Sequence, residues 1–179
     1  MIICGFAGIG KSYLAHNIPG VIDLESTPFE KDWDKYAKCA IHYHEQGYLV
    51  LVSCHKEIRE RLCSYALNGI PIDYRITIVP DVSDKEIYRR RYESRGNSED
   101  FISTQMNNWE NWLNAKNNKF INEHWIVMKS REFLYDTLKR LSKVPPCFFC
   151  SYDECPVCGN YRKTDCVNPL TKFSLSLIN

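Results

Sequence analysis

The sequence lacks both a long apolar run and an excess of charge of one sign. No segment approaches the ~18 consecutive apolar residues of a membrane span, and no leader precedes the first motif, so we expect a cytoplasmic protein without a membrane partner. The formal net charge of +1 argues against a broad basic surface for duplex nucleic acid, although a local basic groove is compatible with it. The 179 residues suffice for one compact domain and an appendage.

Residues 5–12 read GFAGIGKS and have the phosphate-loop form G-x-x-x-x-G-K-[ST]. Glycines let the backbone curl so that successive N–H groups point at phosphate oxygens. Lys11 is then expected to reach the β and γ phosphates, and Ser12 to bind Mg²⁺. An apolar segment precedes the loop and a helical pattern follows it, as this motif requires. The sequence therefore predicts a site for a nucleoside triphosphate.

Two features of ATPase motors and GTPase switches are missing. Those proteins usually hold Mg²⁺ through an Asp at a strand end, whereas the apolar run 48–53 leads into Cys54 and His55. The guanine motif N-K-x-D is absent as well, since residues 117–120 read NNKF. Asp23 is the only acidic residue at an apparent strand end. These absences favour a phosphotransferase over a motor or a switch.

The segment 88–96, YRRRYESRG, carries cations at helical spacing. Arg91 and Arg95 are four residues apart and share one helix face. A phosphotransferase has to neutralise the charge on the migrating group with water excluded, and Gly96 offers a place to bend. We therefore predict a mobile lid over about residues 85–100 that carries both arginines. The alternative is a solvated basic helix face.

Short apolar runs alternate with helical patterns, which predicts an α/β fold with three layers and a parallel five-stranded sheet. Strands are expected at residues 1–4, 21–24, 48–53, 74–79 and 124–128. Helices are expected at residues 11–17, 31–46, 55–67, 83–92, 99–115 and 131–142. Ser83, with Glu86 three residues later, predicts a capping box for the fourth of these helices. Trp109 and Trp112 are interpreted as packing residues of the fifth.

Four segments carry a resemblance to known proteins, and they are GFAGIGKS (5–12), IDLESTPF (22–29), LVLVSCHKEIRERL (49–62) and RRRYESRGNSEDFI (89–102). Together they resemble the small P-loop kinases that act on nucleosides, nucleotides and similar metabolites, and more narrowly the kinase-like proteins of bacteriophages. The first motif is specific, whereas the other three are looser and depend on their order. The resemblance implies a P-loop kinase domain at residues 1–143, working in the host cytoplasm if the protein is phage-encoded.

The resemblance implies a donor side that binds ATP and Mg²⁺. The residues that match the loop for the triphosphate and the metal ion are Gly5, Gly8, Gly10, Lys11 and Ser12. Arg91 and Arg95 match the lid arginines, and residues 129–131 would border the adenine. The chain departs from the family because it lacks a clear acidic metal ligand after the third strand, and because it carries a cysteine-rich tail.

The resemblance also implies an acceptor side. Asp23 matches the acidic position that holds an acceptor hydroxyl or a metal-bound water, with a plain turn residue as the alternative. Arg59 lies one turn beyond His55, where such kinases often keep an arginine for the acceptor, so both are candidates for substrate binding. The alternatives are a helix-start role for His55 and a solvent-exposed pair of Arg59 with Glu57 or Glu60.

Residues 144–179 follow a Val-Pro-Pro linker and form a cysteine-rich tail. Two C-x-x-C pairs would complete a tetrahedral, structural Zn²⁺ site. The expected ligands are Cys147, Cys150, Cys155 and Cys158, with Cys166 as a possible substitute. Reactive or disulfide-bonded cysteines are the alternative.

Taken together, these patterns predict an ATP-dependent, Mg²⁺-requiring phosphotransferase that acts on a nucleotide or nucleoside. Lys11, Arg91 and Arg95 would stabilise the migrating phosphoryl group, and Asp23 would orient the acceptor. One alternative is a kinase for a hydroxyl of a modified base or an end in DNA, with the tail holding the polymer. Another is an ATP-binding module that recognises a partner without transfer.

Overall fold

A computed structural model describes residues 1–68, 75–114, 118–120 and 123–143. The strands are β1 (Ile2–Gly5), β2 (Val21–Asp23), β3 (Leu49–Ser53), β4 (Arg75–Val79) and β5 (His124–Val127). The helices are α1 (Lys11–Asn17), α2 (Trp33–Glu45), α3 (Lys56–Leu67), α4 (Lys85–Ser94), α5 (Glu99–Asn107), α6 (Trp109–Leu113) and α7 (Leu134–Leu141), with 3₁₀ turns at Thr27–Phe29 and Val82–Asp84. Among these described helices, none has the length and apolarity needed to cross a membrane.

The five strands form one parallel sheet in the order β2-β3-β1-β4-β5. Both neighbours of the central strand are in direct register with it, since Cys4 is opposite Val52 on one side and Thr77 on the other. The predicted α/β fold with a parallel five-stranded sheet is confirmed. The predicted zinc-binding appendage at residues 144–179 lies outside the described residues.

Helices cover both faces of the sheet, which gives three layers. Side chains alternate along each strand, so Ile2 and Val50 pack against α2 and α3 on one face. Ile3 and Leu51 point to the other face and pack with α1, α4, α5, α6 and α7. A strand buried on both faces has to be apolar at successive positions, which is why β3 reads Leu-Val-Leu-Val.

Two local predictions are wrong. The helix predicted across residues 99–115 is divided at Asn108, whose side-chain amide donates to the Thr104 carbonyl at 2.9 Å, and α6 begins at the next residue. The capping box of Ser83 does not form either. Asp81 accepts from both the amide and the hydroxyl of Ser83, and a 3₁₀ turn precedes α4. The packing role of Trp109 is confirmed, because its side chain is fully buried.

Candidate active site

The sheet topology predicts a ligand site at the carboxyl end of β1. From β1 the chain continues to β2 at one edge of the sheet, whereas from β4 it continues to β5 at the opposite edge. In open parallel sheets, ligands bind where neighbouring connections diverge in this way, outside the carboxyl ends of the strands. Residues 6–10, which we call the glycine loop, follow β1 directly and therefore lie at this position.

The glycine loop curls in a way that requires glycine. Gly8 and Gly10 have φ values of +77° and +103°, in the left-handed region that other residues rarely adopt. A Cβ atom at Gly8 would lie 2.8 Å from the Tyr92 ring, and one at Gly10 would lie 3.5 Å from the Phe133 ring. The strand and helix that the sequence predicts around the loop are both present, since β1 ends at Gly5 and α1 begins at the residue after Gly10.

Two carbonyl groups of the loop are held by groups from elsewhere in the domain. The Tyr92 hydroxyl donates to the Ala7 carbonyl at 3.0 Å, and the Leu134 amide donates to the Ile9 carbonyl at 2.8 Å. In a trans peptide the N–H points opposite to the C=O. The amides of Gly8 and Gly10 therefore point away from these supports, in an arrangement suited to binding an anion.

Lys11 and Ser12 begin α1 beside the loop. The Lys11 ammonium donates to the Gly5 and Phe6 carbonyls at 3.1 and 3.2 Å, and it forms no ion pair with a described carboxylate. The Ser12 hydroxyl donates to Oδ2 of Asp23 at 2.7 Å. The structure therefore brings together the predicted lysine, the predicted metal-binding hydroxyl and the predicted acidic residue.

One oxygen of Asp23 is available for a ligand. Its Oδ1 atom is buried and has no hydrogen-bond partner among the described residues, whereas Oδ2 accepts from Ser12. A buried carboxylate oxygen without a donor is costly. The position thus suits a hydroxyl proton of a substrate or a water bound to a metal ion.

Arg91 lies close to the glycine loop. Its guanidinium carbon is 4.6 Å from the ring centroid of Tyr88 and 4.0 Å from that of Phe133, the side chain that borders Gly10. Nη2 makes a long contact of 3.5 Å with the Arg131 carbonyl, and Nη1 is buried without a hydrogen-bond partner in the described part of the chain. Arg91 therefore presents an unsatisfied cationic donor near the loop.

Arg95 is placed differently. It is the exposed C-cap residue of α4, and its side chain makes no ion pair or hydrogen bond with the described residues. The helix itself belongs to the core, because Tyr88 and Tyr92 are buried and Tyr92 is bonded to the loop. Movement of a lid over residues 85–100 stays a prediction, and α4 is tied to the core along its inner face.

His55 is the N-cap residue of α3, at the carboxyl end of β3. The centroid of its imidazole lies 5.3 Å from that of the Trp33 ring, and the residue is exposed. Partial burial lowers the pKa of His55. Burial thus disfavours the charged form of the imidazole.

Arg59 is engaged in a buried ion pair with a residue just before β5. Its Nε and Nη2 atoms donate to Oε1 and Oε2 of Glu123 at 2.8 and 2.9 Å, and Nη2 also donates to the Asn118 carbonyl. The guanidinium carbon lies 5.0 Å from the centroids of both Phe120 and Trp125. Arg59 is only 5% exposed, so the alternative of a solvent-exposed pair is wrong.

The same ion pair lies under α3, against the middle of the sheet. The Thr77 hydroxyl of β4 also donates to Glu123, and Cys4 of β1 lines the small space beside the pair. Burial opposes ionisation of Glu123, but the hydrogen bond and the charge of Arg59 outweigh it and lower its pKa. The structure thus does not bring Arg59 to Asp23 and the glycine loop, and acceptor binding by Arg59 is not supported.

Several residues of the site were missed from the sequence. The four-residue spacing of Tyr88 and Tyr92 is typical of a buried helix face and would have indicated packing, although not a bond to the loop. Phe133 and Leu134 precede and begin α7, where nothing in the pattern marks a contact with residues 9 and 10. Glu123 lies between Asn122 and His124, where nothing in the pattern indicates a buried partner for Arg59.

The described residues contain no cluster of three or more His, Cys, Asp or Glu side chains arranged to hold a metal ion. The zinc ligands expected at residues 147–166 lie outside those residues. No protein-family model matches the chain, and no curated protein matches it either. The resemblance to small P-loop kinases therefore rests on the motifs alone.

Proposed function

We propose that the protein is an ATP-dependent phosphotransferase that transfers the γ-phosphoryl group of ATP to a hydroxyl of a nucleoside or nucleotide. The observation that carries this proposal is the set of unsatisfied groups around the glycine loop. The loop amides point away from their supports, Lys11 has no carboxylate partner, and Nη1 of Arg91 has no hydrogen-bond partner, all within the described residues. The resemblance to small P-loop kinases supports the same conclusion.

The residues present fit a nucleoside triphosphate and Mg²⁺. The close approach of Tyr92 to Gly8 leaves no room for a side chain there, so only backbone N–H groups line the curl of the loop. Ser12 and Asp23 supply oxygen atoms, which are the ligands that Mg²⁺ prefers. When bound, Mg²⁺ would neutralise charge on the phosphates.

Each group of the site has its own role in the transfer. The loop amides and Lys11 hold the β and γ phosphates of the substrate ATP. Arg91 stabilises the negative charge on the migrating phosphoryl group, with the Tyr88 and Phe133 rings keeping water away from its guanidinium. Asp23 accepts a hydrogen bond from the acceptor hydroxyl through Oδ1 and takes its proton.

The test is a transfer assay with γ-labelled ATP and Mg²⁺, using pooled nucleosides, nucleotides and DNA as acceptors. We expect label on one acceptor class with the wild-type protein and none with Lys11→Ala. Lys56→Ala serves as the control, because Lys56 is exposed and outside the site. Transfer that survives Lys11→Ala would contradict the assignment of the glycine loop. Tight ATP binding without any transfer would favour the binding-module alternative.

The zinc site is a separate proposal. One Zn²⁺ per chain, held by the C-x-x-C pairs, would supply folding free energy to a tail too short for its own core. Metal analysis of the purified protein should find zinc, and a Cys150→Ser/Cys158→Ser variant should lose it while keeping transfer to free nucleosides. Full zinc retention in that variant would count against this ligand set.

A further inference from the structure

A cluster of four rings lies beyond the carboxyl ends of β2 and β3, next to Asp23. The ring centroids of Phe29 and Tyr36 are 4.9 Å apart, those of Trp33 and Tyr36 are 6.2 Å apart, and those of Trp33 and His55 are 5.3 Å apart. Tyr36 is fully buried, whereas Phe29 and Trp33 are only partly buried and His55 is exposed. The cluster therefore keeps aromatic surface that a ligand can reach.

A strained turn holds two of these rings in place. Glu30 and Lys31, between Phe29 and Trp33, have φ values of +49° and +67°. Two consecutive non-glycine residues in the left-handed region are costly, and such strain concentrates at functional sites. The turn reverses the chain so that the two aromatic side chains on either side of it both pack on Tyr36.

The cluster is connected to Asp23 through Tyr36. The Tyr36 hydroxyl donates to the Leu24 carbonyl at 2.6 Å and accepts from the Ser53 amide at 3.0 Å, which joins the ends of β2 and β3. Burial raises the pKa of Tyr36, and the nearby negative charge of Asp23 adds to the rise. The bond to Leu24 thus ties the cluster to the residue that follows Asp23, whose Oδ1 atom has no partner among the described residues.

The charge around the cluster disfavours an acceptor that carries its own phosphate. Residues 23–38 contain five carboxylates (Asp23, Glu25, Glu30, Asp32 and Asp34) and three lysines (Lys31, Lys35 and Lys38), of which Lys38 pairs with Asp34. Arg59 is occupied by Glu123, and burial disfavours the charged form of His55. A phosphate would meet net negative charge here, whereas an uncharged ring would not.

We propose that this cluster is the acceptor subsite, and that it binds an uncharged, planar heteroaromatic group, such as a nucleobase, whose attached hydroxyl reaches Oδ1 of Asp23. Aromatic side chains stack on any nucleobase, and the orphan oxygen supplies an acceptor for the hydroxyl. The inference rests on the proposed phosphotransferase function and specifies its substrate. A free nucleoside offers this chemistry without a charge, whereas a nucleoside monophosphate or a DNA strand adds phosphate charge.

The transfer step then follows directly. The acceptor hydroxyl oxygen forms a bond to the γ phosphorus of ATP, while the bond from that phosphorus to the oxygen bridging to the β phosphate breaks. The bridging oxygen keeps the electron pair and leaves as part of ADP. The hydroxyl proton passes to Oδ1 of Asp23 and then to solvent.

The experiment measures KM for the acceptor and KM for ATP separately, in the wild-type protein and in Trp33→Ala. Removing the stacking ring should raise the acceptor KM about tenfold or more, while the ATP KM stays unchanged because the glycine loop is untouched. Trp33→Phe should recover most of the loss. Tyr48→Ala is the control, since Tyr48 is an exposed aromatic residue at the opposite end of β3. His55→Ala, at an exposed position, should also raise the acceptor KM and serves if Trp33→Ala does not fold.

Three acceptors that carry the same nucleobase are compared: a nucleoside, its 5′-monophosphate and a single-stranded oligonucleotide. Transfer to the nucleoside in preference to both phosphate-bearing acceptors supports the inference. A preference for the monophosphate or the oligonucleotide, or an unchanged acceptor KM in both the Trp33 and His55 variants, overturns it while the phosphotransferase function stands. If the wild-type protein transfers label to none of the three, the proposed function is overturned and this inference with it.

Discussion

Arg59 and Arg91 have similar aromatic surroundings on opposite sides of the sheet, but their guanidinium groups have different partners. The guanidinium carbon lies 5.0 Å from both neighbouring ring centroids at Arg59, and 4.6 and 4.0 Å from them at Arg91. Arg59 also forms two short hydrogen bonds to the Glu123 carboxylate. Arg91 has no carboxylate partner among the described residues, and its Nη1 atom is buried without a hydrogen bond.

The difference separates a structural arginine from one that is available to a ligand. Removing one member of a buried ion pair is strongly destabilising, because the other charge is left unpaired. A buried donor with no partner is costly in the free protein, so its persistence requires an explanation such as an absent ligand. Arg91 packs on Phe133, which borders Gly10 of the glycine loop, and a phosphate bound at the loop would supply the missing acceptor.

Replacing Arg91 by Met should have the largest effect on activity. An arginine that stabilises a migrating phosphoryl group is worth about 10³-fold or more in kcat, so we expect a loss of that order with little change in stability. Single-turnover transfer and thermal unfolding would measure the two quantities. Arg90→Met is the matched control, because Arg90 is the exposed neighbour on the same helix, and its transfer rate should stay near that of the wild type.

Replacing Arg59 by Met should reduce stability while leaving the transfer activity of the folded protein in place. The variant leaves the Glu123 carboxylate buried without its cation, which should lower the free energy of unfolding by about 3–5 kcal/mol. Urea unfolding would measure this loss, and transfer by the folded fraction should persist. Glu110→Gln is the control, since the exposed Lys85–Glu110 pair should contribute no more than about 1 kcal/mol. A loss of unfolding free energy in Arg59→Met as small as that in Glu110→Gln would contradict a structural role for Arg59.

The Glu123 carboxylate should also make the stability depend on pH. Its folded pKa is below the ordinary value of about 4.3, so its contribution is fully present above that value and is lost as the pH falls through the folded pKa. Urea midpoints of wild type and Glu123→Gln should therefore differ most at pH 7 and converge in acid. A difference in urea midpoint that stays constant down to about pH 3 would show that the charge of Glu123 does not contribute to stability.

The smallest effect is expected for Tyr92→Phe. The variant keeps the ring but removes the hydroxyl that holds the Ala7 carbonyl, a hydrogen bond worth about 1 kcal/mol. The glycine loop should then be less fixed, so KM for ATP should rise several-fold while KM for the acceptor changes little. An unchanged KM for ATP would show that the loop keeps its shape without this bond.

The local parts of the fold could be predicted from the sequence, because they depend on neighbouring residues. β1, the loop and α1 follow from one motif, and β3 follows from an uninterrupted apolar run. Ser12 and Asp23 were each predicted as site residues, and the structure joins them by a hydrogen bond.

The contacts between distant residues could not be predicted. Arg59 and Glu123 are separated by 64 positions, and Tyr92 and Ala7 by 85. Helical spacing indicates which residues share a helix face but not which residues that face contacts. An arginine in a buried ion pair therefore cannot be distinguished in sequence from a solvent-exposed arginine. The aromatic cluster beside Asp23 likewise depends on a strained turn that no glycine marks.

The most direct test is the rate of phosphoryl transfer by Arg91→Met and Arg59→Met, compared at equal concentrations of folded protein. We expect Arg91→Met to fold as stably as the wild type and to transfer about 10³-fold more slowly, whereas folded Arg59→Met should transfer at nearly the wild-type rate. Equal rates for the two variants, or a greater loss in Arg59→Met, would contradict the assignment of Arg91 to the phosphate and of Arg59 to the structure.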